Sequence, residues 1–187
     1  KISSEIAYWL SLGRFNPLNW ILWFTYFYLF PYLILFKIIV FLIIYLNLVF
    51  FKKILQYITQ SKSFAYCIIF LVPILFQFRY WHDPILAFAS IPLASLFLFV
   101  SINFLIKYLE TKSKSYYILF NLIFVFSLLG YEISYISPIF FFTIAYLDNK
   151  SFKKSLVLIF LPLIFIIFHF IFKLNFLSPS NIYPGTV

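Results

Sequence analysis

The sequence predicts an all-α fold: a polytopic transmembrane helical bundle of about six membrane spans with an interfacial or re-entrant N-terminal segment. Hydrophobic residues make up 65% of the 187 positions and charged residues only 10%, unlike soluble globular domains. Apolar runs approach the ~20 residues that cross a bilayer, and cations stand at their ends. We expect one transmembrane domain over 1–187, with an outward interfacial segment at 1–30, spans over 31–173 and an outward loop starting at 174–187.

The N-terminal third is divided by its polar residues and prolines. The first 30 residues include charged, serine and tryptophan side chains, which indicates a segment at the headgroup level of the membrane. Pro31 and Lys37 interrupt the apolar stretch 18–51. We predict an interfacial or re-entrant segment over 18–30 and a full span over 33–51, with two short spans as the alternative.

The middle of the chain alternates between spans and polar segments. We predict a lysine loop over 52–62, a span over 64–78, and an outward turn over 76–84 with the sequence FQFRYWHDP. The next helix is expected to begin at Pro84, because proline suits the first turn of a helix, and to run to about residue 106. A second lysine loop is predicted over 107–114.

The stretch 116–147 carries one charge, Glu132. As a single straight helix it would be ~48 Å long, which exceeds the thickness of a membrane. Gly130 offers a break, so we predict two short spans that meet at Gly130, Tyr131 and Glu132. A last span is expected over 155–172.

The distribution of lysines predicts which ends of the spans face the cytoplasm. Three of the 14 cations lie in each of the segments 52–62, 107–114 and 150–154, and cytoplasmic loops are the lysine-rich ones. The N-terminal segment, the FQFRYWHDP turn, the GYE turn and the tail then face outward. We also expect the chain to belong to a longer protein with at least one further span before Lys1.

Outward acids are the first candidates for function, because ionised carboxylates near membrane depth are costly unless they are paired or hydrated. They are Glu5, Asp83 and Glu132. Glu132 has no cation near it in sequence, so its partner must come from another element. We predict that Arg79 or His82, on the adjacent outward turn, is that partner.

The FQFRYWHDP turn has two interpretations. Arg79, His82 and Asp83 form either a self-neutralising cluster that anchors a helix at the interface or a polar floor for a sugar-phosphate or lipid-phosphate ligand. In the second case Arg79 offers a bidentate donor. His169, near the end of the last span, is predicted to be an interfacial histidine with a satisfied hydrogen bond.

Several classes of site are disfavoured. Glycine-rich phosphate loops, Ser-His-Asp order and CxxC pairs are absent from the sequence, so we expect no metal site and no cofactor. The cations lie in small clusters at span ends, which argues against nucleic-acid binding. With three glycines in the chain, we do not expect a packing face built on small residues.

Three short motifs, GRFNPLN, YWHDP and FSLLGYE, occur in an order that resembles the central part of GT-C type integral membrane glycosyltransferases. These include the protein O-mannosyltransferases and bacterial relatives that decorate cell-envelope glycans. Tyr131-Glu132 is similar to the family's Y-E step, and His82-Asp83 is similar to its second outward turn in a shortened form. The segment containing Arg14 would end the first outward loop, so the resemblance covers most of the chain.

The resemblance implies transfer of a sugar from a polyprenyl-phosphate donor to an acceptor on the outer face of the bacterial cytoplasmic membrane. An acid would act as base on the acceptor hydroxyl, arginines would meet the lipid phosphate, and the other acids would orient the sugar. The substrate-binding residues that it implies are Arg14, Arg79, His82, Asp83, Tyr131 and Glu132. The family's D-D or D-E pair is absent; Glu5 is the candidate present, and we expect the catalytic acid upstream of Lys1.

Two other functional classes stay open. A transporter, flippase or polysaccharide-assembly subunit would use the same outward charges to line a pathway, and a structural membrane subunit would have no site. If sequence precedes Lys1, an acidic pair there after one N-terminal span would favour the transferase, and the absence of such a pair would favour the other two classes. The partners are membrane lipids in each case, with a lipid-linked sugar donor for the transferase.

Accessibility to a thiol reagent tests the predicted topology. Single cysteines that replace Lys53, Lys112 or Lys153 in a Cys67→Ser background should resist a membrane-impermeant reagent in intact cells, because all three positions are predicted to be cytoplasmic. Each should react once the cells are lysed. Labelling of the cysteines at 112 and 153 from outside would contradict the hairpin at Glu132.

Overall fold

The computed structural model describes residues 16–29, 33–75 and 90–176, and in these ranges the protein is helical without a β-strand. This confirms the all-α prediction. The α-helices are α1 (Pro17–Leu29), α2 (Leu33–Thr59), α3 (Lys62–Leu75), α4 (Ser90–Thr111), α5 (Lys114–Gly130), α6 (Ser137–Asn149) and α7 (Phe152–Phe176). A short 3-10 helix, Glu132–Ile136, connects α5 to α6.

Three of the described helices are long and apolar enough to cross a membrane: Ile34–Thr59, Ile91–Thr111 and Phe152–Asn175. Their outer surfaces carry large exposed apolar side chains such as Ile34, Phe41 and Phe168. Such a surface suits lipid rather than water. The chain therefore has the helices of an integral membrane protein, and the count of about six spans stays a prediction.

The lysine clusters lie on helix ends rather than in the long loops that we predicted. Helix α2 continues through the first cluster to Thr59. Ile54, within that cluster, is buried against the bundle, whereas a solvated loop would leave it exposed. Helix α4 likewise runs to Thr111. Gln60, Lys112 and Lys150 adopt positive φ angles of 53°, 54° and 49°, the left-handed conformation that terminates many helices.

Helices α4 and α5 pack antiparallel at close range and form the centre of the described bundle. A Cβ atom on Gly130 would lie 3.0 Å from the Cβ of Ala94 and 3.2 Å from its Cα, so only glycine fits without displacement. Farther along, the rings of Phe97 and Phe126 lie 5.8 Å apart. Small residues thus bring the two backbones together, contrary to the expectation from the low glycine count.

Helix α6 returns along α5 after the 3-10 turn. The Phe141 ring packs edge-on between Phe120 and Phe124, with centroid distances of 4.9 and 5.0 Å, a favourable aromatic geometry. At the far end of α6, Asp148 forms an ion pair of 3.3 Å with Lys112, which lies between α4 and α5. The chain therefore reverses at the GYE turn, and α6 ends beside the α4–α5 connection.

The contact at Gly130 predicts a specific loss of stability. Gly130→Leu should lower the free energy of unfolding by about 1–3 kcal/mol, because the new side chain must displace Ala94 in a packed interface. Thermal unfolding in detergent measures the effect, and Ser115→Leu at an exposed position of α5 is the matched control. Equal melting temperatures for the two variants would contradict the close approach.

Candidate functional site

A network of buried serines fixes the turn that carries Glu132. The Ser127 hydroxyl donates to the Ala94 carbonyl at 2.8 Å, and its oxygen lies 2.6 Å from that of Ser134. The Ser137 hydroxyl donates to the Ser134 carbonyl at 2.6 Å. All three serines are fully buried, so these hydrogen bonds satisfy hydroxyls that would otherwise be costly inside the bundle. They hold the 3-10 turn against α4.

Glu132 forms an ion pair with Lys173, near the C-terminal end of α7. The Lys173 side chain is 12% exposed and that of Glu132 is 32% exposed, so both charges are largely removed from solvent. The backbone N–H of Glu132 and the side chain of Asn16 also lie close enough to the carboxylate to lower its pKa. Asn16 precedes α1 and is buried, so three separate parts of the chain meet at one carboxylate.

The electrostatics of this cluster keep Glu132 ionised. Burial acts to raise the pKa of its carboxyl group, but the hydrogen bonds and charge of Lys173, its own backbone N–H and Asn16 lower it, and the net pKa lies below the ordinary value of 4.5. A carboxylate that accepts several hydrogen bonds beside a cation is expected to titrate in this way. The site therefore holds a negative and a positive charge in contact.

Tyr135 and His169 extend the cluster toward the interior. The Tyr135 hydroxyl lies 2.7 Å from Nδ1 of His169, and their rings meet edge to face at 5.7 Å. His169 is hydrogen-bonded, as predicted, but it is 6% exposed and hence buried in the bundle.

An apolar cleft of about 280 Å³ lies between α5 and α7, and residues of its wall lie close in sequence to both members of the ion pair. His169 is the one residue with a polar side chain in its wall. Phe172 in the wall immediately precedes Lys173, and the wall residues of α5 lie in the last turns before Glu132. The lining residues are Val125, Leu128, Leu129, Phe165, Phe168, His169 and Phe172. A hydrocarbon chain can therefore lie in this cleft while a polar group at its end reaches the two charges.

The described part of the chain contains only part of the predicted site. Tyr131 and Glu132 lie at the turn, with the Tyr131 backbone extended at φ −165° and ψ 153°. The other predicted site residues lie outside the described residues: Glu5, Arg14, Arg79, His82 and Asp83. Within the described ranges, His, Cys, Asp and Glu side chains form no cluster of three that could hold a metal ion.

Two residues of the cluster were missed by the sequence analysis. The partner of Glu132 among the described residues is Lys173, where Arg79 or His82 had been predicted; both of those lie outside the described ranges. The predicted topology places the end of the last span and the GYE turn on the same side of the membrane. It could therefore have identified Lys173 as a possible partner of Glu132. Asn16 lies in the GRFNPLN motif, but the resemblance assigns a role there to Arg14 and none to Asn16.

The ion pair predicts how stability depends on pH. Because the folded-state pKa of Glu132 lies below 4.5, its contribution should be complete above that pH and should disappear as the pH falls through the folded-state pKa. Glu132→Gln should lack this component and be less stable at neutral pH by about 1–3 kcal/mol. Unfolding measured from pH 7 to pH 3 tests both effects.

The control is Glu110→Gln, which removes an exposed carboxylate at the opposite end of the bundle. It should retain the wild-type pH profile. Identical profiles for wild type and Glu132→Gln would show that the ion pair does not contribute to stability.

No protein-family model, curated protein or solved structure matches this chain. The case for a function therefore rests on the cluster of Asn16, Glu132 and Lys173 and on the cleft between α5 and α7. Those features would suit a ligand that is charged or polar at one end and apolar along the rest.

Proposed function

We propose that this chain is part of a bacterial membrane glycosyltransferase that transfers a sugar from a polyprenyl-phosphate donor to a cell-envelope acceptor on the outer face of the cytoplasmic membrane. One observation carries the proposal: on both α5 and α7, residues that line an apolar cleft come within four positions of the Glu132–Lys173 ion pair. A polyprenyl-phosphate sugar has matching groups in the same order: a long hydrocarbon chain, then a phosphate, then a sugar.

The cleft suits the hydrocarbon part of this donor. Its walls are aliphatic and aromatic side chains from α5 and α7, and the outer faces of both helices carry exposed apolar residues such as Phe126 and Phe168. A prenyl chain can therefore enter from the surrounding lipid and keep its distal part in the bilayer. Burial of its methylene groups would contribute about 0.8 kcal/mol for each CH₂.

Lys173 and Glu132 suit the polar part. An ammonium group has three N–H donors, and one of them contacts Glu132, so the others can donate to the donor's phosphate. In the transfer step this cation would stabilise the negative charge that develops on the departing lipid phosphate. Glu132 would accept hydrogen bonds from sugar hydroxyls.

A lipid flippase or transporter is the second candidate, and a row of buried polar groups favours it. Ser101 on α4 and Asn121 on α5 lie between the Phe97–Phe126 and Phe104–Tyr116 ring contacts, so they occupy neighbouring levels of the α4–α5 interface. The Ser101 Oγ and Asn121 Oδ1 atoms are buried, and no hydrogen-bond partner is found for them within the described ranges. Polar groups at that depth are features of pathways through membrane proteins.

Mutation of the ion pair in the full-length parent tests the proposal. Glu132→Gln and Lys173→Met should each reduce sugar transfer from a polyprenyl-phosphate donor by about 100-fold, because each removes a group that contacts the reacting lipid. The assay measures radiolabelled sugar transferred in membranes. Lys107→Met, which removes an exposed lysine from the opposite end of the bundle, is the matched control and should transfer normally.

Normal transfer by Glu132→Gln would leave the ion pair with a structural role alone. If the parent transfers no sugar from any donor tested, but the Glu132→Gln variant slows movement of a labelled lipid between leaflets of a vesicle, the flippase is the better account.

A further inference from the structure

We infer that Asn16 determines the specificity of this site, because its amide oxygen accepts a hydrogen bond from a hydroxyl group of the ligand. This inference rests on the proposed function, and it names a residue and a ligand group that neither the motifs nor the fold assign. Asn16 lies directly before α1, where its backbone carbonyl accepts a hydrogen bond from the Trp20 N–H at 3.2 Å. It is 4% exposed.

The chemistry of the contact with Glu132 fixes the orientation of the Asn16 amide. An ionised carboxylate only accepts hydrogen bonds, and the Asn16 side chain lies close enough to Glu132 to lower the pKa of its carboxyl group. The NH₂ group must therefore face Glu132, and Oδ1 must point away from it. Oδ1 is buried and has no hydrogen-bond partner within the described ranges.

A buried amide oxygen without a donor is uncommon, since buried polar atoms are normally paired. It does not define a site by itself, because Oδ1 of Asn47 and Oδ1 of Asn121 are in the same condition. Asn16 differs from them because its amide also contacts the ion pair. Oδ1 of Asn16, an acceptor without a donor, thus belongs to a side chain that lies beside the Glu132–Lys173 ion pair.

Together these groups offer the pattern that a sugar requires. Lys173 can donate to a hydroxyl or phosphate oxygen, and Glu132 and Asn16 can accept from hydroxyl protons. A lipid phosphate without a sugar satisfies Lys173 but leaves the Asn16 oxygen unpaired. A site built to accept a hydroxyl proton discriminates strongly against ligands that lack it. Asn16 therefore favours the sugar-bearing lipid over the bare lipid phosphate.

Binding measurements on the full chain in lipid nanodiscs test this assignment. The probes are polyprenyl phosphate, polyprenyl-phosphate glucose and polyprenyl-phosphate mannose. Wild type should bind one of the sugar lipids more tightly than polyprenyl phosphate. Asn16→Ala should reduce that preference by about tenfold while it retains affinity for polyprenyl phosphate. Asn47→Ala, which removes an unpaired amide oxygen on α2 outside the site, should keep the wild-type preference.

The outcomes separate this inference from the proposed function. Wild-type preference in a folded Asn16→Ala variant would overturn the role of Asn16 and leave the donor assignment intact. Equal binding of all three probes by wild type would also overturn it, while no binding of any probe would overturn the proposed function with it. If Asn16→Ala does not fold, deoxy-sugar analogues on wild type provide the test: at least one should lose the preference, and unchanged binding of every analogue contradicts the inference.

Discussion

The close approach of α4 and α5 at Ala94 and Gly130 is the constraint on which the candidate site depends. Because a Cβ on Gly130 would meet Ala94 at 3.0 Å, the two helices can reach this separation only where both residues are small. The same proximity lets the Ser127 hydroxyl reach the Ala94 carbonyl. Ser127 in turn contacts Ser134, so the 3-10 turn and Glu132 are positioned from α4.

The ion pair follows from that placement. A carboxylate fixed at the end of α5 inside a helical bundle loses much of its hydration, and a lone charge there would be costly. Lys173 supplies the opposite charge from α7 and Asn16 supplies a neutral donor from the start of α1. Three elements distant in sequence are thereby tied to one carboxylate. Removal of Glu132 would leave both Lys173 and the Asn16 amide without this partner in the bundle.

The sequence predicted the helical class and the break at Gly130, because each depends on hydrophobicity or on a single unusual residue. It did not predict that the lysine segments are helical, because clusters of charged residues are typical of loops. In the structure, Ile54 is buried beside Lys52 and Lys53, and the helix continues through them. Lys173 and Asn16 were missed because their roles arise from tertiary contacts across the bundle. Asn16 lies in the GRFNPLN motif, but the resemblance gives it no role, and Lys173 belongs to none of the three motifs.

The ion pairs at the two ends of the bundle differ in their exposure to solvent. This difference supports a functional role for the end that contains Glu132. At the lysine end, Lys112 pairs with Asp148 while it remains 59% exposed, and such surface pairs contribute little to stability. At the other end, Lys173 is 12% exposed in its pair with Glu132, where desolvation of the charges opposes folding. An exposed lysine at either end would have been enough to set the orientation of the helices in the membrane. The burial of Lys173 beside an apolar cleft therefore points to a ligand that needs a charge at the end of a hydrocarbon-binding surface.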